Sequence, residues 1–249
     1  MRRSIDILPA LRAGRLPAAL RVSALRATAH GRRALAWTTI LCSIAAVLGV
    51  VYFFTAVSVE ESLRPMYDPV TRTISELAVG RYGSLQVSAF VALGLSLWAL
   101  PAGLWRRVRA TIFSRLGLAL LVVCGASSFV AAAFPTDLRG AVVATVSGDV
   151  HSVAASVGYS CLIAAMLLFS WHFRHDRSWH HFRPISIGLT LAGLALLVTM
   201  AAMGSGSDVA GLLQRSMAAT LLVWVALAGA YAGRLSLATR AARARERRD

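Results

Sequence analysis

The sequence predicts an all-α, polytopic integral membrane protein, a bundle of six transmembrane helices, on three observations. Hydrophobic residues make up 57% of the 249 residues and charged residues only 15%, whereas soluble domains carry about 25% charged residues. Six apolar runs have the length of roughly 20 residues that crosses a bilayer. All 26 basic residues are arginines, and all but Arg215 lie in the tails, in the connections or near the ends of these runs, which indicates membrane topology and no nucleic-acid binding.

Residues 1–33 form a basic tail before the first apolar run. They hold eight arginines and one acid, Asp6, and Pro9, Gly14 and Pro17 interrupt any long helix. The basic region is too long for a cleavable signal peptide, and no clear small-residue cleavage site follows the apolar run. We expect a disordered cytoplasmic tail; a short amphipathic segment lying on anionic lipid is the alternative.

The apolar runs predict spans at 34–57, 85–105, 112–134, 150–173, 184–203 and 209–231. Residues 34–233 then form the transmembrane domain, and a second basic tail covers 234–249. Small residues recur every fourth position in two spans: Gly148, Ser152, Ser156, Ser160 and Ala164 in the fourth, and Gly229 and Gly233 in the sixth. Such stripes let helices approach closely; a polar track along the serines is the alternative.

The distribution of arginines predicts that both termini are cytoplasmic. Twenty-one of the 26 arginines lie in the two tails and in the second and fourth connections. The other three connections hold Arg64, Arg72, Arg81 and Arg139, and they carry most of the acids. The positive-inside rule therefore places those three connections outside the membrane that encloses the cytoplasm.

Neither the cysteines nor the clustered histidines predict a metal site, and we assign no metal and no cofactor. Cys42, Cys124 and Cys161 lie inside apolar runs without metal-type spacing, so we interpret them as small core residues. The clustered histidines lie among arginines that repel a cation, and we predict a solvated loop for them: His172, His175, His180 and His181.

A polar stretch, residues 67–80, follows the first span. Asp68 followed by Pro69 is typical of a helix start, with the acid at the N-cap. Thr73 and Glu76 have the spacing of a capping box. The polar side chains of this stretch therefore either satisfy the backbone of a short interfacial helix or contribute to a site, and Ser75 lies among them.

Two further polar groups fall at the same end of the spans. Asp137 follows the third span, and His151 opens the fourth, where the positive end of the helix dipole favours a neutral imidazole. Two arrangements are open: Asp137 holds that imidazole in one tautomer, or Asp137 caps a turn and His151 is an interfacial side chain.

Gln214 and Arg215 lie within the sixth predicted span. Arg215 is six residues beyond Val209, roughly 9 Å along the helix. A charge at that depth is costly and usually faces a partner or a wet cavity. We expect Arg215 to pair with Glu76 or Asp137. A structural ion pair and a ligand-binding arginine both remain open.

The order of these motifs resembles the bacterial membrane family catalogued as domain of unknown function 998. The resemblance covers residues 34–233 and rests on segments 67–69, 73–77 and 134–137, on Gly148 followed by His151, and on Gly211 followed by Gln214 and Arg215. It implies a six-span protein of a bacterial cytoplasmic membrane and supplies no established activity.

Three functions fit these observations. The first is binding of a lipid head group or small anion by Asp68, Ser75, Glu76, Asp137, His151, Gln214 and Arg215, with Arg215 as counter-ion. The second is a membrane hydrolase or transferase with Ser75 as nucleophile, His151 as base and Asp137 or Glu76 as orienting acid, although no G-x-S-x-G motif is present. The third is an assembly scaffold. Membrane lipids are the expected partners, and the oligomeric state is left open.

Overall fold

The computed structural model describes the backbone of residues 18–204 and 206–246, and the side chains of residues 37–246 except 205 and 243. The helices are α1 (Ala18–Ser62), α2 (Gly83–Leu104), α3 (Ile112–Ala133), α4 (Val146–His172), α5 (Arg183–Met203) and α6 (Ala210–Arg245). Short 3-10 helices cover Ile74–Ala78 and Phe173–His175. Within the described residues there is no strand, and six helices are long and apolar enough to cross a membrane, which confirms the predicted fold class.

Three helices extend well beyond the bounds predicted from hydropathy. One of them is α6, which ends at Arg245 and not at residue 231. Helix α1 begins at Ala18, so residues 18–33 are helical where a disordered tail was expected; residues 1–17 lie outside the described part of the chain. Helix α4 begins at Val146 because Thr145 caps it, its side-chain oxygen accepting a hydrogen bond from the Gly148 N–H at 3.0 Å. Because the first turn of α4 is polar, the apolar pattern predicted a start four residues too late, at residue 150.

Small residues bring three of the helices into close contact. A Cβ built on Gly229 would lie 3.2 Å from the Ala46 Cβ. One on Gly49 would lie 2.9 Å from the Ala92 carbonyl oxygen. The Ser96 hydroxyl donates to the Ala46 carbonyl at 2.7 Å. The small residues of α6 therefore pack inside the bundle as predicted.

An aromatic cluster closes the end of the bundle that carries the connections 105–111 and 173–182. Trp179 lies in the second of these connections and is fully buried. Its ring stacks on Phe173 at a centroid distance of 4.8 Å, and its Nε1–H donates to the Arg107 carbonyl at 3.0 Å. His172 is also buried here and contacts the Thr111 hydroxyl, so it does not belong to the solvated loop predicted for the four histidines.

The opposite end is called the acidic end below; it carries the connections 63–82, 134–145 and 204–209. These three connections contact one another directly. The Arg139 guanidinium donates to the Thr71 carbonyl at 3.0 Å and to the Ser207 carbonyl at 2.8 Å. Segments far apart in the chain thus meet at one end of the bundle, where most of the predicted site residues lie.

Candidate functional site

An arginine–glutamate pair anchors one end of the connection 63–82. Arg64 pairs with Glu60, one turn earlier on α1, at 2.6 Å. The same guanidinium donates to the carbonyls of Leu77 at 2.7 Å and Val79 at 2.8 Å. It therefore satisfies backbone acceptors at the end of the 3-10 helix, where no further helical N–H is available.

Arg215 of α6 anchors the other end of that connection. Its Nε–H donates to Glu61 at 2.9 Å, and its Nη2 contacts Glu61 and the Tyr67 hydroxyl, the latter at 2.6 Å. Its Nη1 donates to the carbonyls of Pro69 and Arg72, both at 2.7 Å. Burial raises the pKa of Tyr67, and the neighbouring Arg215 charge opposes that shift.

These contacts correct the expected partner of Arg215. The guanidinium pairs with Glu61, so the prediction of Glu76 or Asp137 is wrong. All three guanidinium nitrogens already have acceptors within the chain. The geometry therefore supports a structural role for Arg215, which links α6 to Glu61 of α1 and to the connection 63–82 and is called a clamp below. It does not support a role as the counter-ion of a ligand.

Asp68 and Glu76 both support the local backbone of this connection. The capping box is confirmed: a Glu76 carboxylate oxygen accepts from the Thr73 N–H at 3.0 Å. Asp68, however, begins a turn and not a helix, because its carboxylate accepts from the Val70 N–H at 3.0 Å and the Thr71 hydroxyl at 2.8 Å. These bonds, the Val70 N–H first, lower the pKa of Asp68.

Gln214 connects the 3-10 helix to α6. Its side-chain oxygen accepts from the Ile74 N–H at 2.6 Å, and its amide donates to the Ser75 hydroxyl oxygen at 3.2 Å. All three residues are buried. Gln214 therefore fixes the position of Ser75 relative to α6.

Asp137 and His151 do not form a pair, although the sequence left that arrangement open. The Asp137 carboxylate accepts from the Thr145 N–H at 2.9 Å and from the Thr145 hydroxyl at 2.7 Å, and these bonds lower the pKa of Asp137. Nδ1 of His151 lies 2.8 Å from the Phe134 carbonyl oxygen and 3.2 Å from that of Ala131. Since a carbonyl only accepts, Nδ1 carries the proton, and in the neutral ring Nε2 carries a lone pair.

A cavity of about 550 Å³ opens among these groups, between the 3-10 helix, the connection 134–145 and helices α4, α5 and α6. Five of the seven predicted site residues line it: Ser75, Glu76, Asp137, His151 and Gln214. Asp68 and Arg215 are not part of the lining.

A second, smaller cavity of about 70 Å³ adjoins the first inside the bundle. The two share a wall formed by Ser75, His151, Ala155 and Tyr159. Beyond that wall the smaller cavity is lined mainly by apolar side chains, among them Phe90. The larger cavity, whose lining includes the charged side chains, and the smaller, mainly apolar cavity therefore share one set of side chains.

Sequence reasoning missed several residues of this site. Arg139 and Asp149 line the large cavity, and so do Ser152 and Ser156 of the small-residue stripe on α4, which are exposed rather than packed. For these two serines the structure favours the polar track over helix packing. The signal for the serines was present, since a stripe of hydroxyls at every fourth position is also a polar face.

Within the described part of the chain, the site residues do not assemble a catalytic triad or a metal centre. His151 Nδ1 bonds to backbone carbonyls, and Asp137 bonds to Thr145, so Asp137 does not orient the imidazole. No hydrogen bond joins Ser75 to His151 among the described residues. The same part of the chain contains no group of three or more His, Cys, Asp or Glu side chains that could hold a metal ion.

A family model described as "Protein of unknown function (DUF998)" matches residues 47–231, which is more than half of the chain. The match covers the connection 63–82, the wall shared by the two cavities and the residues Gln214 and Arg215. No curated protein and no solved structure matches the chain.

Proposed function

The chain belongs to the DUF998 family, and since that family's description names no activity, we propose a function from the cavities: the protein binds a membrane lipid. The head group would occupy the cavity of about 550 Å³, and an apolar part of the lipid would lie against the smaller one. The observation that carries this proposal is the shared wall of Ser75, His151, Ala155 and Tyr159.

The depth of the large cavity supports a ligand from the membrane. Ser156 lines it and lies ten residues beyond Val146, the first residue of α4, roughly 15 Å along the helix. Leu197 and Met200 of α5 line the same cavity. The chamber thus combines a polar mouth with apolar walls at membrane depth, a composition that suits an amphipathic ligand.

The geometry supports a lipid over the small anion that the sequence left open. The arginine expected to attract an anion is held by Glu61 and by backbone carbonyls. The lining contributes the carboxylates of Glu76, Asp137 and Asp149. A small anion would meet more negative than positive charge there.

Filling the cavity tests the proposal. Ser156→Leu adds an apolar side chain to the lining, so we expect at least a tenfold loss of co-purified lipid, which corresponds to about 1.4 kcal/mol of binding free energy. Native mass spectrometry of protein released from nanodiscs measures the bound lipid.

Ser160→Leu is the matched control, because Ser160 is exposed on the same helix one turn further on and is absent from the cavity lining. Its bound lipid should equal that of the parent protein. Equal lipid retention by the two variants would contradict binding in this cavity.

The acidic end is proposed to face outward from a bacterial plasma membrane, on the strength of the arginine distribution. We expect Val142→Cys to react with an impermeant thiol reagent in intact cells and Arg177→Cys to react only after lysis. Val142 is 99% exposed, and Arg177 is exposed in the connection at the other end. Both changes go into a variant with Cys42, Cys124 and Cys161 replaced by alanine. The reverse labelling pattern would overturn the orientation.

A further inference from the structure

We propose that the lipid head group carries a hydrogen-bond-donating ammonium, recognised by the carboxylate of Asp149 and by Nε2 of His151. This inference rests on the proposed function and adds the chemical class of the ligand. It follows from the uncompensated charge of the large cavity and from the kind of hydrogen-bonding group that faces it.

The lining of the cavity has an excess of negative charge. Arg139 is its one arginine, and Asp208, which is not part of the lining, pairs with that guanidinium at 2.9 Å. The carboxylates of Glu76 and Asp137 accept hydrogen bonds from N–H and O–H groups only, and those bonds leave their charges in place. Three lining carboxylates, with Asp149 the third, therefore lack a basic partner among the described side chains, and a cation would lower the energy of the chamber.

The carboxylate of Asp149 is open to a ligand. Asp149 is exposed in the first turn of α4, and its side chain has no hydrogen-bond partner or ion pair within the described residues. An ammonium bound there would form a charge-assisted hydrogen bond, which is roughly twice as strong as one between neutral groups.

His151 supplies an independent sign that the ligand is a donor. The side chain is 97% buried, since 3% of it is exposed, and it lines both cavities. Its Nδ1–H is directed at the carbonyls of Phe134 and Ala131, so Nε2 lies on the opposite side of the ring. Nε2 has no partner among the described residues. This acceptor therefore lies at the cavity surface, and an N–H of the head group would give it a partner.

The groups that usually bind anions are already occupied at this site. The Gly148 N–H in the first turn of α4 donates to the Thr145 hydroxyl at 3.0 Å. The two terminal nitrogens of Arg139 donate to Thr71, Gly206, Ser207 and Asp208. The lining therefore favours the ammonium of a head group over its phosphate.

The test uses the full chain in nanodiscs made from equal amounts of three lipids with the same acyl chains: phosphatidylethanolamine, phosphatidylcholine and phosphatidylglycerol. Native mass spectrometry measures which lipid stays bound. We expect phosphatidylethanolamine to be enriched at least tenfold over the other two, because a trimethylated amine has no N–H to donate and a glycerol head group has no positive charge.

Asp149→Asn should remove most of that enrichment. Asp68→Asn is the matched control, since Asp68 is a carboxylate at the same end that lies outside the lining, and asparagine preserves its turn. The control should keep the parent's preference. Enrichment of phosphatidylglycerol, of phosphatidylcholine or of none of the three would overturn the ammonium inference, and so would an unchanged preference in Asp149→Asn.

The outcomes separate this inference from the proposed function. If Ser156→Leu reduces the binding of all three lipids equally and no head group is preferred, lipid binding stands and the ammonium inference falls. Glycerophosphoethanolamine, which has the same head group without acyl chains, is added as a soluble competitor. If it displaces phosphatidylethanolamine at equal concentration, the ammonium inference stands and the requirement for a lipid falls.

Discussion

Gly211→Ala is expected to destabilise the transmembrane domain by about 3 kcal/mol, at the upper end of the usual cost of overpacking. A Cβ at Gly211 would overlap the Arg72 carbonyl oxygen and lie 2.6 Å from that of Pro69. Both carbonyls also accept from Arg215, and the Leu212 N–H donates to the neighbouring Val70 carbonyl at 3.0 Å. The backbone of residues 69–72 therefore cannot move away from an added Cβ without losing these hydrogen bonds to α6.

The control for this variant is Gly188→Ala. A Cβ at Gly188, in the interior of α5, meets no atom within 4 Å. Since alanine is favoured over glycine in a helix by about 1 kcal/mol, Gly188→Ala should be neutral or slightly stabilising. Thermal unfolding in detergent, followed by fluorescence-detected size exclusion, compares the two variants. Equal melting temperatures would show that the contact between α6 and the connection 63–82 is not tight.

Arg215→Ala should cost about 2–4 kcal/mol, somewhat less than the 3–5 kcal/mol of a fully buried pair, because the side chains of Arg215 and Glu61 retain 19% and 26% exposure. The variant leaves the Glu61 carboxylate and the carbonyls of Pro69 and Arg72 without their donor. Arg215→Lys should restore only a part of the loss, since an ammonium cannot reach these acceptors with the geometry of a guanidinium.

A double-mutant cycle with Glu61→Gln isolates the pair. We expect a coupling energy above about 1 kcal/mol for Arg215 and Glu61. Arg81→Lys serves as a control, since Arg81 is exposed and its guanidinium contacts the ring of the adjacent Tyr82. Its effect on the free energy of unfolding should stay within about 0.5 kcal/mol, as is usual for surface changes. A coupling energy near zero would refute the role of Arg215 as a clamp.

Hydropathy was sufficient to predict the fold class because the lipid environment leaves few alternatives. A span must satisfy its backbone internally, so long apolar runs become helices. The predicted helix bounds were wrong where a polar segment of the chain is nevertheless helical. Residues 18–33 are arginine-rich yet helical, and the first turn of α4, at Ser147 and Asp149, is polar yet helical.

The site was only partly predictable for a related reason. Polar residues at one end of the spans identified the region, and Ser75, Glu76 and His151 do line the cavity. Charge alone could not choose the partner of Arg215, because several acids lie at the same end. Glu61 lies 154 residues away in the sequence, and its proximity depends on how α1 and α6 pack. Asp149 was not among the predicted site residues, because the fourth span was predicted to begin at residue 150, which left Asp149 in the preceding connection.

The link between Gln214 and the 3-10 helix has a consequence for the order of assembly. The acceptor of the Ile74 N–H, Gln214, lies 140 residues further along the chain. At 5–20 residues per second, the ribosome needs roughly 7 to 28 s to synthesise that segment. During that interval the connection 63–82 lacks both Gln214 and the clamp from Arg215. The acidic end therefore closes late in biogenesis. A nascent chain halted before residue 210 would leave the connection 63–82 without its partners on α6, and it would expose this incomplete end to proteases that degrade misfolded membrane proteins.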